Sequence, residues 1–218
     1  MVGTPTPTQE VSARMTQRVT LYGISWQTYT QLLTELGDHR ASRLAYAQGV
    51  LEITMPSDRH ETQKKLLERM IETLTEELQL PAKSFGSTTL NRADLEHGAE
   101  PDSCYYIQHV SQIEGRQVDL ATDPPPDLIL EIDISRPSSR RMDIYKQLGV
   151  PEIWRYVDGS VQIYQLQAGE YVSCDVSSSF PFVSPAIVNQ FLQQAETQDD
   201  TTFIQTWRRW IRQQVSSD

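Results

Sequence analysis

Pro124-Pro125-Pro126-Asp127-Leu128-Ile129-Leu130-Glu131-Ile132-Asp133-Ile134 is the stretch from which the fold of this chain can be read. Leu128, Ile129, Leu130, Ile132 and Ile134 form an aliphatic run of strand length, opened by a triple proline and closed by Ser135-Arg136-Pro137-Ser138, which predicts a buried β-strand. Side chains alternate along a strand, so Asp127, Ile129, Glu131 and Asp133 share one face while Leu128, Leu130, Ile132 and Ile134 take the other. Carboxylates inside an apolar strand are costly to desolvate unless a cation or another charged partner meets them. An edge strand with one solvated face explains the pattern equally well. The flanking segments decide between the two, because they carry further acids and a lysine that can converge on the same face.

Downstream, Ser138 or Ser139 caps a short helix from Arg140 to Leu148, with Gly149 just past its end and Pro151 beyond. Met142, Tyr145, Lys146 and Gly149 fall on one side of it, so Lys146 is expected to reach back over the C-terminal half of the strand. A favourable cation in the helix's last turn is the simpler reading. Glu152 to Val157 predicts a further strand, Asp158-Gly159 a hairpin turn into Val161 to Leu166, and Gln167-Ala168-Gly169-Glu170 a second turn into Tyr171 to Val176.

Upstream, Pro101 to Val110 reads as a strand with Asp102, Cys104 and Tyr106 on one face, and Lys83 to Leu90 as another. Glu100-Pro101-Asp102 therefore delivers an acid at a strand start, although a proline turn with a solvated aspartate explains it as well. Ser57 and Asp58 offer caps for a helix, with Glu61 in capping-box position and Leu67, Met70, Ile71, Leu74 and Leu78 at helical spacing. Stepping back by sevens from Leu74 through Leu67 reaches His60, which should face the core at the first turn, where capping or packing is its commoner use. Glu68, Glu72 and Glu76 make an acidic outer ridge, most simply a solvated face. Arg43 to Pro56 is a hairpin turning near Gly49, with Leu51, Ile53 and Met55 on its core face and Glu52 opposite, beside Val50 and Thr54. Val19 to Leu36 predicts a short strand and a covering helix capped by Ser25. Phe203, Ile204, Trp207, Trp210, Ile211 and Val215 mark an amphipathic C-terminal helix with Arg208, Arg209 and Arg212 outside, after a polar linker around Gln198 to Thr201.

The chain has 218 residues and suits one domain with tails. Cys104 and Cys174 supply neither a disulfide framework nor a thiolate zinc site, which fits a reducing, cytoplasmic setting. No apolar run approaches the ~20 residues of a membrane span, and the N-terminus lacks the order of a signal peptide. A formal net charge of -10 repels polyanions and counts against strong nucleic-acid binding. It does not exclude a nuclease, because acids that bind metal count as negative until the metal is there. Internal repeats, a Gly-rich phosphate loop and a His-rich metal box are all absent.

Asp102, Glu131, Asp133 and Lys146 thus make a constellation of acids and one lysine on an α/β sheet. Hard divalent cations such as Mg²⁺ take one or two carboxylates and retain several waters for a substrate phosphate. Asp127 lies about 13 Å along the strand from Glu131, too far to share an ion with it, and is assigned to supporting the turn.

The ordered runs Pro126 to Ile132, Pro137-Ser138-Ser139, Asp143 to Lys146, Gly149 to Trp154 and Tyr156 to Gly159 resemble the Uma2 family of restriction-endonuclease-like proteins, abundant in cyanobacteria. Gly49 to Glu52, Met55-Pro56, His60 and Glu100-Pro101-Asp102 extend the resemblance, which spans roughly residues 20 to 185. The family is similar to the PD-(D/E)xK nucleases. That likeness implies a central mixed β-sheet flanked by helices, with Asp102 as first acid, Glu131 as second, and both as ligands of Mg²⁺, or Mn²⁺ in its place. The usual lysine position, two after Glu131, holds Asp133 here, and Lys146 matches the lysine moved to the following helix. Glu52 corresponds to an extra upstream acid and His60 to the histidine opening the first core helix.

The resulting expectation is a flexible tail over 1–18, a restriction-endonuclease-like domain over 19–185 and a C-terminal helical extension over 186–218. Its function would be metal-dependent endonucleolytic cleavage of DNA. The alternative is a catalytically idle nuclease fold that binds nucleic acid or a protein, assembled as a homodimer through the C-terminal aromatic helix. A metal-dependent hydrolase of small phosphate esters is a third reading.

Overall fold

Glu100-Pro101-Asp102 is the corner at which the chain leaves one β-sheet and enters another. Proline has no N–H for a ladder, so pairing stops there and resumes on a new partner. The computed structural model describes residues 16–37, 40–113, 118–134 and 139–216, excepting the side chain of Ser139. The expected tail before Thr16 and the turn at 135–138, with its Ser138 cap, lie outside the described residues.

Before the corner, β1 (Gln17–Tyr22), β2 (Arg43–Ala47), β3 (Val50–Met55), β5 (Leu90–Arg92) and β6 (His97–Ala99) form an antiparallel sheet in the order β1-β3-β2-β6-β5. The remaining strands form the second sheet: β4 (Lys83–Ser84), β7 (Ser103–Tyr106), β8 (Leu128–Asp133), β9 (Glu152–Val157), β10 (Ser160–Gln167) and β11 (Glu170–Ser173), ordered β11-β10-β9-β8-β7-β4. Here β8 and β9 are parallel and every other pair antiparallel, so the sheet is mixed. The parallel pair requires a crossover, which α3 (Ser139–Leu148) supplies. Asp158 and Gly159 both take positive φ, 50° and 83°, as the expected hairpin turn demands.

The face alternation expected of β8 holds. Leu128, Leu130 and Ile132 pack with Leu67, Met70, Ile71 and Leu74 of α2 (Asp58–Glu77), with Phe191 of α4 (Pro185–Ala195) and with Phe203 and Trp207 of α5 (Asp200–Val215). Ile129 faces the other way, among Cys104, Tyr106, Ile153 and the Ile144, Tyr145 and Leu148 side chains of α3. Ala45 and Ala99 of the first sheet join that same cluster, so α3 lies against both sheets. The outer side of the first sheet is closed by α1 (Trp26–Leu36), whose Tyr29 ring stacks on Tyr46 at 5.0 Å.

Several expectations change. Met55 is 42% exposed instead of core, because the cluster under α1 takes in Leu51 and Ile53 of β3 but not Met55, while Glu52 and Thr54 on the opposite face are buried. Ser57 alone caps α2, accepting from the His60 amide, which makes His60 the third helical residue. The ridge acids Glu72 and Glu76 are exposed as a solvated face requires, while Glu76 also pairs with Arg208 and its neighbour Glu77 with Arg208 and Arg212 of α5. The aromatic face of α5, expected as a surface for a second copy, is buried: Phe203, Trp207 and Ile211 sit in the main core, and Trp207 Nε1 donates to the Met70 carbonyl at 3.1 Å. No described helix is long and apolar enough to cross a membrane.

Candidate active site

Asp102 is placed by the corner. It precedes the first paired residue of β7, where Ser103 opposes Leu130, and its carboxylate continues the ladder by accepting the Ile132 amide at Oδ2, 2.8 Å away. Oδ1 faces His60 Nε2 at 3.0 Å, and His60 Nδ1 lies 3.2 Å from Glu61 Oε1. The cap on Ser57 starts α2 so that His60 points inward with only 3% of its surface exposed. Burial opposes charge on this ring, but the hydrogen bond and charge of Asp102, with Glu61 and Glu131 behind, prevail and raise its pKa above the usual histidine value. For Asp102, burial pushes upward, and His60, Arg141 and the Ile132 amide overcome it, leaving the carboxyl below its ordinary range.

Glu131 comes from the middle of β8 and meets α3. Arg141 Nη1 lies 3.3 Å from Glu131 Oε1 and donates to the Glu100 carbonyl at 2.8 Å, and the Tyr145 hydroxyl donates to Glu131 Oε1. Burial raises the Glu131 carboxyl to about 7; Arg141 opposes the rise, Asp102 and Asp133 add to it, and Tyr145 resists it. Arg141 stays charged, since the surrounding Glu131, Tyr145, Asp102 and Glu52 outweigh its burial.

Charges alternate outward from this pair. Arg141 Nε is 3.5 Å from Glu52 Oε1, and Arg18 Nε is 3.4 Å from the same oxygen. Arg18 Nη2 is 3.4 Å from Asp133 Oδ1, and Arg155 Nε donates to Asp133 Oδ2 at 2.8 Å. Glu52, Glu131 and Asp133 thus each meet a guanidinium, which answers the desolvation cost of the two acids of β8. The space in front is a pocket of about 140 Å³ whose lining includes Asp102, Glu131, Asp133, His60, Arg141 and Arg43. That is room for several waters or a phosphate.

The predicted residues are therefore only partly brought together. Asp102, Glu131, Asp133 and His60 line the pocket, and Glu52 stands behind it against Arg141 and Arg18. Asp127 serves the turn: its Oδ2 accepts from the amides of Ile107, Gln108 and His109, and its Oδ1 meets the His109 ring. Lys146 does not reach over the strand. It pairs with Glu170 at 3.1 Å and Asp143 at 3.8 Å on the outer side of α3. Five residues of helix turn about 140° away from Arg141, so the two cannot share a face. The guanidinium that meets Glu131 in the pocket, beside Arg18 and Arg43 in the lining, is that of Arg141, which the sequence reading missed. Its signal was its spacing from Tyr145 and Leu148, four and seven residues on, with Ile144 beside them on the buried face of α3. Among the described residues, three or more His, Cys, Asp or Glu side chains nowhere gather in a way that could hold a metal ion.

The profile of the Uma2 family, described as "Putative restriction endonuclease", matches residues 26–197. The chain belongs to the Uma2 family. Its fold is similar to a crystal structure described as "a putative nuclease belonging to DUF820" from Anabaena variabilis ATCC 29413, with a TM-score of 0.56. The two are 16% identical over 78% of this chain and 99% of that one, a likeness that shows a shared restriction-endonuclease-like fold. No curated protein matches this Uma2 chain.

Proposed function

We propose that this Uma2 protein is a Mg²⁺-dependent nuclease that hydrolyses DNA phosphodiester bonds at the Asp102–Glu131 pocket. The observation that carries the reading is the meeting of two carboxylates from the corner and from β8 with a buried guanidinium from α3 around one pocket. Family membership supports nucleic acid as the substrate class.

The donor set suits a hard divalent cation. Asp102 is kept ionised by His60 and the Ile132 amide, and Glu131 lines the same pocket. Mg²⁺ takes only one or two carboxylates and keeps waters for the rest, so Asp102 and Glu131 would hold it, or Mn²⁺ in its place. When bound, such an ion acidifies a water and offsets charge on the phosphodiester. Without the ion, burial raises the Glu131 carboxyl to about 7, so metal binding there would release a proton and weaken as pH falls below neutral. Arg141 fixes the Glu131 carboxylate and balances its charge. His60 acts on Asp102 and not on substrate.

A second reading, a catalytically idle nuclease fold serving as a nucleic-acid or protein binding module, is favoured by one observation. Both Asp102 oxygens and Oε1 of Glu131 are already engaged by protein groups, in a chain of net charge -10. Isothermal titration with Mg²⁺ and Mn²⁺, run beside supercoiled-plasmid nicking, separates the two. Metal binding and metal-dependent nicking that both disappear in Glu131→Gln support the nuclease. Absence of both in the wild-type protein overturns it in favour of the binding module.

A further inference from the structure

Part of the pocket lining comes from the first sheet, and its register is specific. Thr54 on β3 opposes Arg18 on β1 and Arg43 on β2, so the three form one row across adjacent strands and present their side chains on one face. All three line the pocket. Arg18 is committed to Asp133 and Glu52, whereas Arg43 forms no ion pair among the described residues. Its guanidinium makes one weak contact, from Nη1 to the Ser42 carbonyl at 3.5 Å, and its buried Nε has no partner. Thr54 is 7% exposed, and its buried Oγ1 likewise has no partner; the same holds for Oγ1 of Thr16, which also lines the pocket.

Buried donors without acceptors are uncommon in folded proteins, and here a guanidinium and two hydroxyls gather on one side of one pocket. A cation with open donors beside free hydroxyls is the chemistry that takes tetrahedral oxyanions. The carboxylates of the same lining would repel an anion placed beside them, so it is drawn to Arg43. Arg43 also lines a second polar pocket of about 360 Å³ with Ser87, Thr88, Thr89 and the paired Arg40 and Glu100.

We propose that Arg43 and Thr54 form a phosphate-binding subsite that positions the substrate's phosphodiester group against the Asp102–Glu131 carboxylates. The proposal deepens the nuclease reading by naming the residues that hold the substrate, and it rests on that reading for its place in a reaction. The phosphate's non-bridging oxygens accept from the Arg43 guanidinium and the Thr54 hydroxyl, which leaves the carboxylates free for the ion and the water.

The test uses the full-length protein and inorganic phosphate as probe, titrated by calorimetry at constant ionic strength, with plasmid nicking in parallel. Arg43→Met keeps the aliphatic stem, Thr54→Val keeps the shape, and circular dichroism checks that each variant is folded. Arg43→Met should weaken phosphate binding about tenfold or more, Thr54→Val less, and Arg43→Lys should recover part of the loss, as expected for hydrogen bonds to a charged group. In nicking assays the Arg43→Met loss should appear mainly in KM. Phosphate affinity in folded Arg43→Met equal to wild type, or no phosphate binding by the wild type, overturns the subsite. The two readings fail separately: phosphate binding that depends on Arg43 without nicking removes the nuclease and keeps the subsite, while nicking indifferent to Arg43 removes the subsite and keeps the nuclease.

Discussion

Replacing Glu131 by glutamine should change how stability depends on pH, with a sign that the structure dictates. An unfolded chain releases the Glu131 proton near 4.5, whereas the folded protein holds it to about 7, because burial prevails over the attraction of Arg141. Between those values the native state carries a proton that the unfolded state has lost, so this group makes stability fall as pH rises through that window. The free energy attached to the displacement from 4.5 to about 7 is about 3 kcal/mol, fully felt above the higher value. Glutamine has no proton to release and lacks this penalty. The Asp102–His60 pair is retained in both proteins, so only the part of the His60 rise that Glu131 supplies, the smallest of its causes, enters their difference. Any fixed cost of replacing the acid beside Arg141 and Tyr145 shifts the whole variant curve without bending it. Urea unfolding of both proteins in chelator, followed by tryptophan fluorescence from about pH 4 to about pH 8, should show the variant gaining about 3 kcal/mol on the wild type across the range. Curves that stay parallel across it would refute the burial-driven rise, and with it the proton release expected when Glu131 takes a metal ion.

Arg141→Met strips a buried cation from Glu131 and Glu52 and should cost about 3–5 kcal/mol in urea melts, while Lys146→Ala, which removes a surface pair, should change stability by about 0.5 kcal/mol or less and leave nicking intact. Loss of nicking in folded Lys146→Ala would return the lysine to the site. His60→Ala should raise the Asp102 pKa and reduce nicking less than Glu131→Gln does, most visibly at the acid end of the pH profile, where Asp102 would begin to protonate. Equal losses would place His60 in contact with the reaction. Trp207→Ala should destabilise by about 3–5 kcal/mol by opening a cavity against α2, measured as a lowered urea midpoint. A midpoint near wild type would mean that the C-terminal helices are not part of the core.

The strand 128–133, the long helix 58–77, both hairpins and the α/β class were legible in the sequence because they rest on local rules. Alternation assigned Ile129 and Glu131 to one face and Leu130 and Ile132 to the other, and the turn at Asp158-Gly159 follows from its residues. The same rules brought out Asp102, Glu131 and His60, since a carboxylate on a buried strand and a histidine on an inward helical stripe are already anomalies one residue at a time. They said nothing about which elements would meet. That the chain changes sheets at Pro101 depends on pairings between β6 and β2 and between β7 and β8, which join residues far apart in sequence. The rotation of α3 is set by its contact with both sheets at once, so only the folded chain distinguished Arg141 from Lys146. The burial of the C-terminal aromatic face was decided in the same way: amphipathicity calls for a partner surface, and the tertiary packing of α5 on α2 supplies it within the chain. The cross-strand row of Arg18, Thr54 and Arg43 is likewise a product of register, a relation between strands that no single stretch of sequence contains.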